Sequence, residues 1–218
     1  MIKNVIFDLD GTLLDTSRGI LESVRYTVNT LGLKPLSEEE ATAFIGPPLR
    51  QSFVRICGCT DEEAQKATRI FRSYYQNGAV FHAEEYDGIT ELCKMLSESG
   101  YRLGVATNKP QGFAEALLKE FKLFQYFDSV CGADENGRLS KSDLICLCMA
   151  GMKANAEETV LVGDTDNDAA GAESAGVDFI AVTYGFGFRN AEDLADVQCI
   201  GTTNTPLQVY KIISNHSG

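Results

Sequence analysis

The chain has 218 residues, 44% of them hydrophobic and 23% charged, enough apolar material for one globular domain plus an insertion. Its formal net charge of −12 excludes a face for polymeric nucleic acid, and leaves a small anion as a ligand only where local cations or a metal receive it. No apolar run approaches a membrane span, no signal-peptide core precedes the first strand, and seven scattered cysteines form no C-x-x-C pair, so a cytoplasmic protein without membrane contact is expected.

Val5-Ile6-Phe7 is a short β-branched and aromatic run that reads as a buried strand. Asp8 and Asp10 follow it, and Gly11 lets the chain turn sharply. Strand alternation points the two carboxylates the same way, although the turn at Gly11 separates their roles. Carboxylates at the C-terminal end of a central strand lie where open α/β sheets bind ligands. There they hold a metal, attack a phosphorus or exchange a proton; a solvated strand end is the plain alternative.

The next stretch is helical. Ile20, Leu21, Val24, Val28 and Leu31 recur at helical spacing from Thr16 to Leu31. Ser37 and Glu40 form a capping-box pattern for a second helix, and Gly46-Pro47-Pro48-Leu49 interrupts before helical character resumes at Leu49. Thr60-Asp61-Glu62-Glu63 caps a further helix running to about Tyr75. The expected organisation is an all-helical insertion over 15–82, set into a core made of 1–14 and 83–218.

From Tyr86 onward strands and helices alternate. Helices are expected over 87–99, 111–121, 140–152 and 166–175, with strands over 102–106, 127–132, 159–162 and 178–182. That rhythm predicts an α/β fold, a doubly wound parallel sheet covered on both faces. His82 and His216 lie far apart without a partner motif and read as structural or solvent-facing.

Each strand end carries polar residues. Ala106-Thr107-Asn108-Lys109 offers a hydroxyl, an amide and an ammonium, either a cradle for an anion or the N-cap of the next helix. Lys141 opens another helix, where a solvated lysine is the ordinary reading. Gly163-Asp164-Thr165-Asp166-Asn167-Asp168 masses oxygen donors that suit Mg²⁺, although acids also gather at helix N-termini for dipole reasons.

Taken in order, Asp8-Leu9-Asp10-Gly11-Thr12, Thr107, Lys141 and Gly163-Asp164 with Asp168 resemble the four motifs of the haloacid dehalogenase superfamily of phosphatases. The resemblance runs over essentially the full length. Gly46-Pro47-Pro48-Leu49, Tyr86-Asp87-Gly88 and Ala106-Thr107-Asn108-Lys109-Pro110 are similar to the phosphoglycolate phosphatase-type branch, which also holds 5′-nucleotidase-like members. The resemblance implies a Rossmann-like core with a helical cap hinged near 15–19 and 78–84. It implies a Mg²⁺ site made by Asp8, the Asp10 carbonyl, Asp164 and Asp168. It implies Asp8 as nucleophile, Asp10 as acid and base, Lys141 as the cation beside Asp8, and Thr107 and Asn108 as phosphate ligands. Asp166 and Asn167 are expected in supporting or capping roles, and Arg50 is the cap residue expected to reach substrate.

The expected activity is hydrolysis of a small phosphomonoester through an aspartyl-phosphate, phosphoglycolate phosphatase-like, by a monomer or homodimer. Alternatives are a 5′-nucleotidase of the same fold, a phosphomutase, and a non-catalytic binding module. Mutases resembling this chain commonly carry Val where Thr12 stands, which favours hydrolysis. A binding module does not need Asp8, Asp10, Lys141 and Asp164 together. Phe44, Phe53 and Phe81 suit either an apolar slot beside a nucleoside or a core, with core preferred.

Overall fold

The computed structural model describes residues 1–134, 138–190 and 192–216. The chain divides into two compact units, one made of 1–15 with 85–218 and the other of 16–84.

The first unit is built on a six-stranded parallel sheet. Its strands are β1 (Asn4–Phe7), β4 (Arg102–Pro110), β5 (Ser129–Ala133), β6 (Thr159–Gly163), β7 (Asp178–Val182) and β8 (Gly201–Thr203), in the order β5-β4-β1-β6-β7-β8. Two short strands, β2 (Leu14–Asp15) and β3 (Glu84–Glu85), mark where the chain leaves and returns. β1 pairs on one edge with β4, Phe7 opposite Val105, and on the other with β6, Phe7 opposite Val162. From β1 the sheet therefore grows outward in two directions, and β1 with its two neighbours forms the switch point where ligands bind in open α/β sheets.

Alternation assigns the two faces of β1. Ile6 packs with Ala106 and Leu161 into an apolar cluster with Leu144, Ile145, Cys148 and Met152 of α7 (Lys141–Met152). The ring of Phe7 lies edge-on to Phe127, 6.3 Å between centroids. α7 packs on β4, β5 and α8 (Asp166–Ala175), while α5 (Ile89–Glu98) packs on β4 and α9 (Pro206–His216), and α6 (Gln111–Glu120) on β4 and β5. Both faces are thus covered, and the α/β parallel-sheet expectation holds.

Differences from the sequence expectation are local. α5 starts at Ile89 rather than 87, because Gly88 takes a left-handed φ of +94° just before it. β4 runs on to Pro110, and β5 starts at Ser129 instead of 127. No element was expected beyond Val182, yet β8 and α9 complete the sheet there. β8 is a three-residue edge strand, Gly-Thr-Thr, with no apolar run to announce it.

The second unit is helical: α1 (Ser17–Thr30), α2 (Glu38–Thr42), α3 (Leu49–Cys57), α4 (Asp61–Gln76) and a 3₁₀ turn at Ala79–Phe81. Both expected capping boxes form, Ser37 with Glu40 and Thr60 with Glu63. α4 packs on α1 and α3, burying Val24, Val28, Phe53, Ala64, Ala67 and Phe71. Phe44 and Phe53 meet edge-to-face inside this core, 4.9 Å between centroids, whereas Phe81 is exposed. Among the described residues no helix is long and apolar enough to cross a membrane.

Candidate active site

The switch point brings three loops together. Asp8 continues β1, and its backbone N–H donates to the carbonyl of Val162 at 2.9 Å, so the carboxylate leaves the strand under register control. Asp164 follows β6 directly, and Asp168 lies in the first turn of α8. One carboxylate oxygen from each of Asp8, Asp164 and Asp168 lies within 4.8 Å of the others, and all three residues are buried.

Lys141 enters this cluster from the first position of α7, on the face that Asp8 shares with Ile6 by alternation. Its Nζ donates to Asp8 Oδ1 and lies against Asp168 Oδ1, each at 2.7 Å. The stem reaches the cluster because Gly171 in α8 carries no side chain: a Cβ there would stand 2.6 Å from Lys141 Cγ. The second oxygen of Asp168 accepts from Thr165, from its N–H at 3.0 Å and its hydroxyl at 2.6 Å, which closes a capping box at the start of α8. Helix capping and site assembly here use the same carboxylate.

Asp164 is held on both oxygens. Thr12 Oγ1 donates to Oδ1 at 3.2 Å, and the N–H groups of Phe186 and Gly187 donate to Oδ2 at 2.7 and 3.3 Å. Tyr184 donates its hydroxyl to the carbonyl of Thr12 at 2.9 Å, bracing the same loop. Gly11, at φ +86°, approaches so closely that a Cβ would lie 2.3 Å from Asp164 Oδ2. Only glycine meets both demands.

These contacts set the electrostatics. Burial pushes Asp8 up to about 6, with Asp168 and Asp10 adding to the rise and Lys141 opposing it. Burial likewise lifts Asp164 to about 8, with Asp168 and Asp8 adding, against the Phe186 and Gly187 amides. Burial disfavours the Lys141 ammonium, but Asp168 and Asp8 outweigh it and hold the group above its usual value. Three carboxylates share one ammonium, so the fully ionised cluster lacks two positive charges. An all-oxygen donor set with that deficit fits a hard divalent cation such as Mg²⁺.

Asp10 is oriented otherwise. Both of its oxygens accept from Lys109 Nζ, at 2.9 and 3.0 Å. Thr107 is buried at the end of β4, and its hydroxyl accepts from the backbone N–H of Lys109 at 3.2 Å, while Asn108 between them is exposed. Asp166 and Asn167 are exposed on the first turn of α8. Arg50 belongs to the helical unit, where it is exposed and pairs with Asp61, Nε to Oδ1 at 2.8 Å and a second contact from its terminal nitrogen. His82 is exposed with Nδ1 2.6 Å from Glu22, and His216 faces Asp178.

Sequence reasoning placed Thr12 only in the choice between mutase and hydrolase, and did not connect Lys109 with Asp10. Thr107 and Lys109 one residue apart on a strand carried the signal that both face the same way. The amides of Phe186 and Gly187 and the gap at Gly171 have no comparable local mark.

The family model for haloacid dehalogenase-like hydrolases matches residues 5–182. Over 184 residues the chain is 36% identical to the tyrosine-protein kinase PtkA of Mycobacterium tuberculosis; the match covers 84% of this chain and only 62% of that protein's length. It is 35% identical over 185 residues to a 5′-nucleotidase of Pseudomonas aeruginosa, covering 84% of each. The crystal structure of a predicted phosphatase from Clostridium acetobutylicum superposes with a TM-score of 0.90 at 34% identity, over 99% of this chain and 100% of that one. The matched stretch contains every residue of the carboxylate cluster and Lys141, and the chain belongs to the haloacid dehalogenase-like hydrolase family.

Proposed function

We propose that this hydrolase is a Mg²⁺-dependent phosphatase that cleaves a small phosphomonoester through an aspartyl-phosphate on Asp8. The observation that carries the reading is the buried ammonium of Lys141 set between Asp8 and Asp168 at a sheet switch point, 2.7 Å from each. Lys141 opposes the rise that burial imposes on Asp8 and offers positive charge where phosphoryl oxygens would lie. Asp8, Asp164 and Asp168, with the backbone carbonyl of Asp10, would hold Mg²⁺, which when bound supplies charge compensation to the phosphoryl group.

In the first step the Asp8 oxygen–phosphorus bond forms as the bond to the leaving oxygen breaks, and Asp10 gives that oxygen a proton. Water then attacks the aspartyl-phosphate and its proton passes to Asp10; inorganic phosphate departs and Asp8 is restored. Thr107 and Asn108 hydrogen-bond the transferring group. The helical unit 16–84 acts as a cap that excludes water from the first step, with Arg50 exchanging Asp61 for substrate.

Phosphoglycolate is the substrate class suggested by the branch motifs around Gly46, Tyr86 and Thr107. A nucleoside monophosphate is the second reading, favoured by the Pseudomonas aeruginosa relative named 5′-nucleotidase. Phosphate release from a panel of phosphomonoesters, with Mg²⁺ and with EDTA, tests both. A steep preference for 2-phosphoglycolate supports the first and for nucleoside monophosphates the second. Full activity in Asp8→Asn, or indifference to EDTA, refutes the mechanism.

A further inference from the structure

Two buried lysines converge on the strand ends, and each meets a different carboxylate. Lys141 serves the Asp8 cluster; Lys109 clasps Asp10 through both oxygens, at 2.9 and 3.0 Å. The Lys109 side chain is 4% exposed and that of Asp10 19%, so the pair is withdrawn from solvent. The lysine's own backbone is fixed as well, since its N–H donates to Thr107 at 3.2 Å within β4. Between Thr107 and Pro110 the pairing of β4 with β5 changes register, which makes this the one irregular stretch of that strand pair.

We propose that Lys109 is the positioning residue that aims the Asp10 carboxylate at the water which hydrolyses the aspartyl-phosphate; the proposal rests on the phosphatase reading above. An ammonium that donates to both oxygens holds the carboxyl group at one place beside β4 through a charge-assisted pair. In the step concerned the water oxygen bonds to phosphorus as the bond from phosphorus to Asp8 breaks. The water proton moves to an Asp10 oxygen, and inorganic phosphate and the Asp8 carboxylate result. Lys141 pairs with Asp8 and Asp168 instead, so one lysine serves the nucleophile and the other the base.

The test is Lys109→Met in the full chain with Mg²⁺, using p-nitrophenyl phosphate, whose leaving group departs without a proton from the protein. Slowing only the second step lowers kcat by about tenfold or more, the lower part of what a general base supplies. KM falls in parallel, kcat/KM is retained, and a burst approaching one nitrophenolate per chain appears with a phosphoenzyme trapped by acid quench. Lys109→Arg restores part of kcat, and Lys109→Met adds nothing further in an Asp10→Asn background. A raised KM without a burst would show Lys109 binding the phosphoryl group instead and would overturn the assignment, as would unchanged kinetics. If Lys109→Met does not fold, Lys109→Gln, which removes the charge but keeps a polar side chain, takes its place: wild-type kinetics and no burst overturn the assignment, while a burst with lowered kcat supports it. Asp8→Asn separates the two levels: an inactive Asp8→Asn beside a burst-free Lys109→Met overturns only the role of Lys109. Turnover by Asp8→Asn overturns the phosphatase reading and this proposal together.

Discussion

Gly171→Ala isolates the geometry of Lys141 from its charge. The new Cβ would stand 2.6 Å from Lys141 Cγ and 2.9 Å from its Cβ, and 3.4 Å from Ile145 Cδ1. Carbon atoms rest at about 3.5–4.0 Å, so α7 and α8 must part by about 1 Å or the lysine stem must leave its path. Either response acts on the site directly, because α7 carries Lys141 and α8 carries Asp168 in its first turn. The two contacts at 2.7 Å then lengthen together. Stability responds weakly, since overpacking costs about 1–3 kcal/mol while alanine is favoured over glycine in a helix by about 1 kcal/mol. The net loss is about 0–2 kcal/mol, a fall in Tm of a few degrees. Catalysis responds strongly, because a displacement of about 1 Å at a positioned group costs on the order of 10²-fold. The assay is phosphate release under saturating Mg²⁺, with the melting curve measured on the same preparation. A variant with wild-type kcat/KM and an unchanged Tm would refute the argument that the gap at Gly171 seats Lys141.

Thr12→Val keeps the side-chain shape and removes the donor 3.2 Å from Asp164 Oδ1. The Mg²⁺ concentration for half-maximal activity should rise about tenfold with little change in turnover at saturation, as expected for a partner that orients a metal ligand; an unchanged Mg²⁺ titration would count against the assignment of Asp164. Mg²⁺ should also raise Tm in wild type and EDTA reverse it, because a ligand bound only by the folded chain stabilises it by mass action. The start of α7 gives an acid dependence: hydrogen bonds from the Ser140 hydroxyl and N–H hold Asp143 below its usual 3.8. A carboxyl depressed on folding contributes stability that is full above its unfolded value and is lost as pH falls through the folded one. Asp143→Asn should therefore flatten the loss of Tm below pH 3.8, and an acid limb identical to wild type would show that this cap does not contribute.

What sequence alone could establish was whatever neighbours along the chain decide. Capping boxes join residues three apart, so Ser37 with Glu40 and Thr60 with Glu63 were readable as helix starts. Strand runs and helical periodicity located α8 and β7 at their observed limits, and the βα alternation implied a parallel sheet with its polar loops on one edge. The motif order then marked Asp8, Lys141, Asp164 and Asp168, and the sheet brings those four together. Their separate partners were another matter. Lys109 reaches Asp10 across 99 positions, and the Phe186 amide reaches Asp164 across 22, because strand order, not chain order, makes them neighbours. The space at Gly171 exists only between two packed helices, and β8 earns its place by pairing with β7 rather than by composition. Local hydrogen bonds and periodicity are written in consecutive residues; the orientation of a buried carboxylate depends on which distant donors the fold delivers to it.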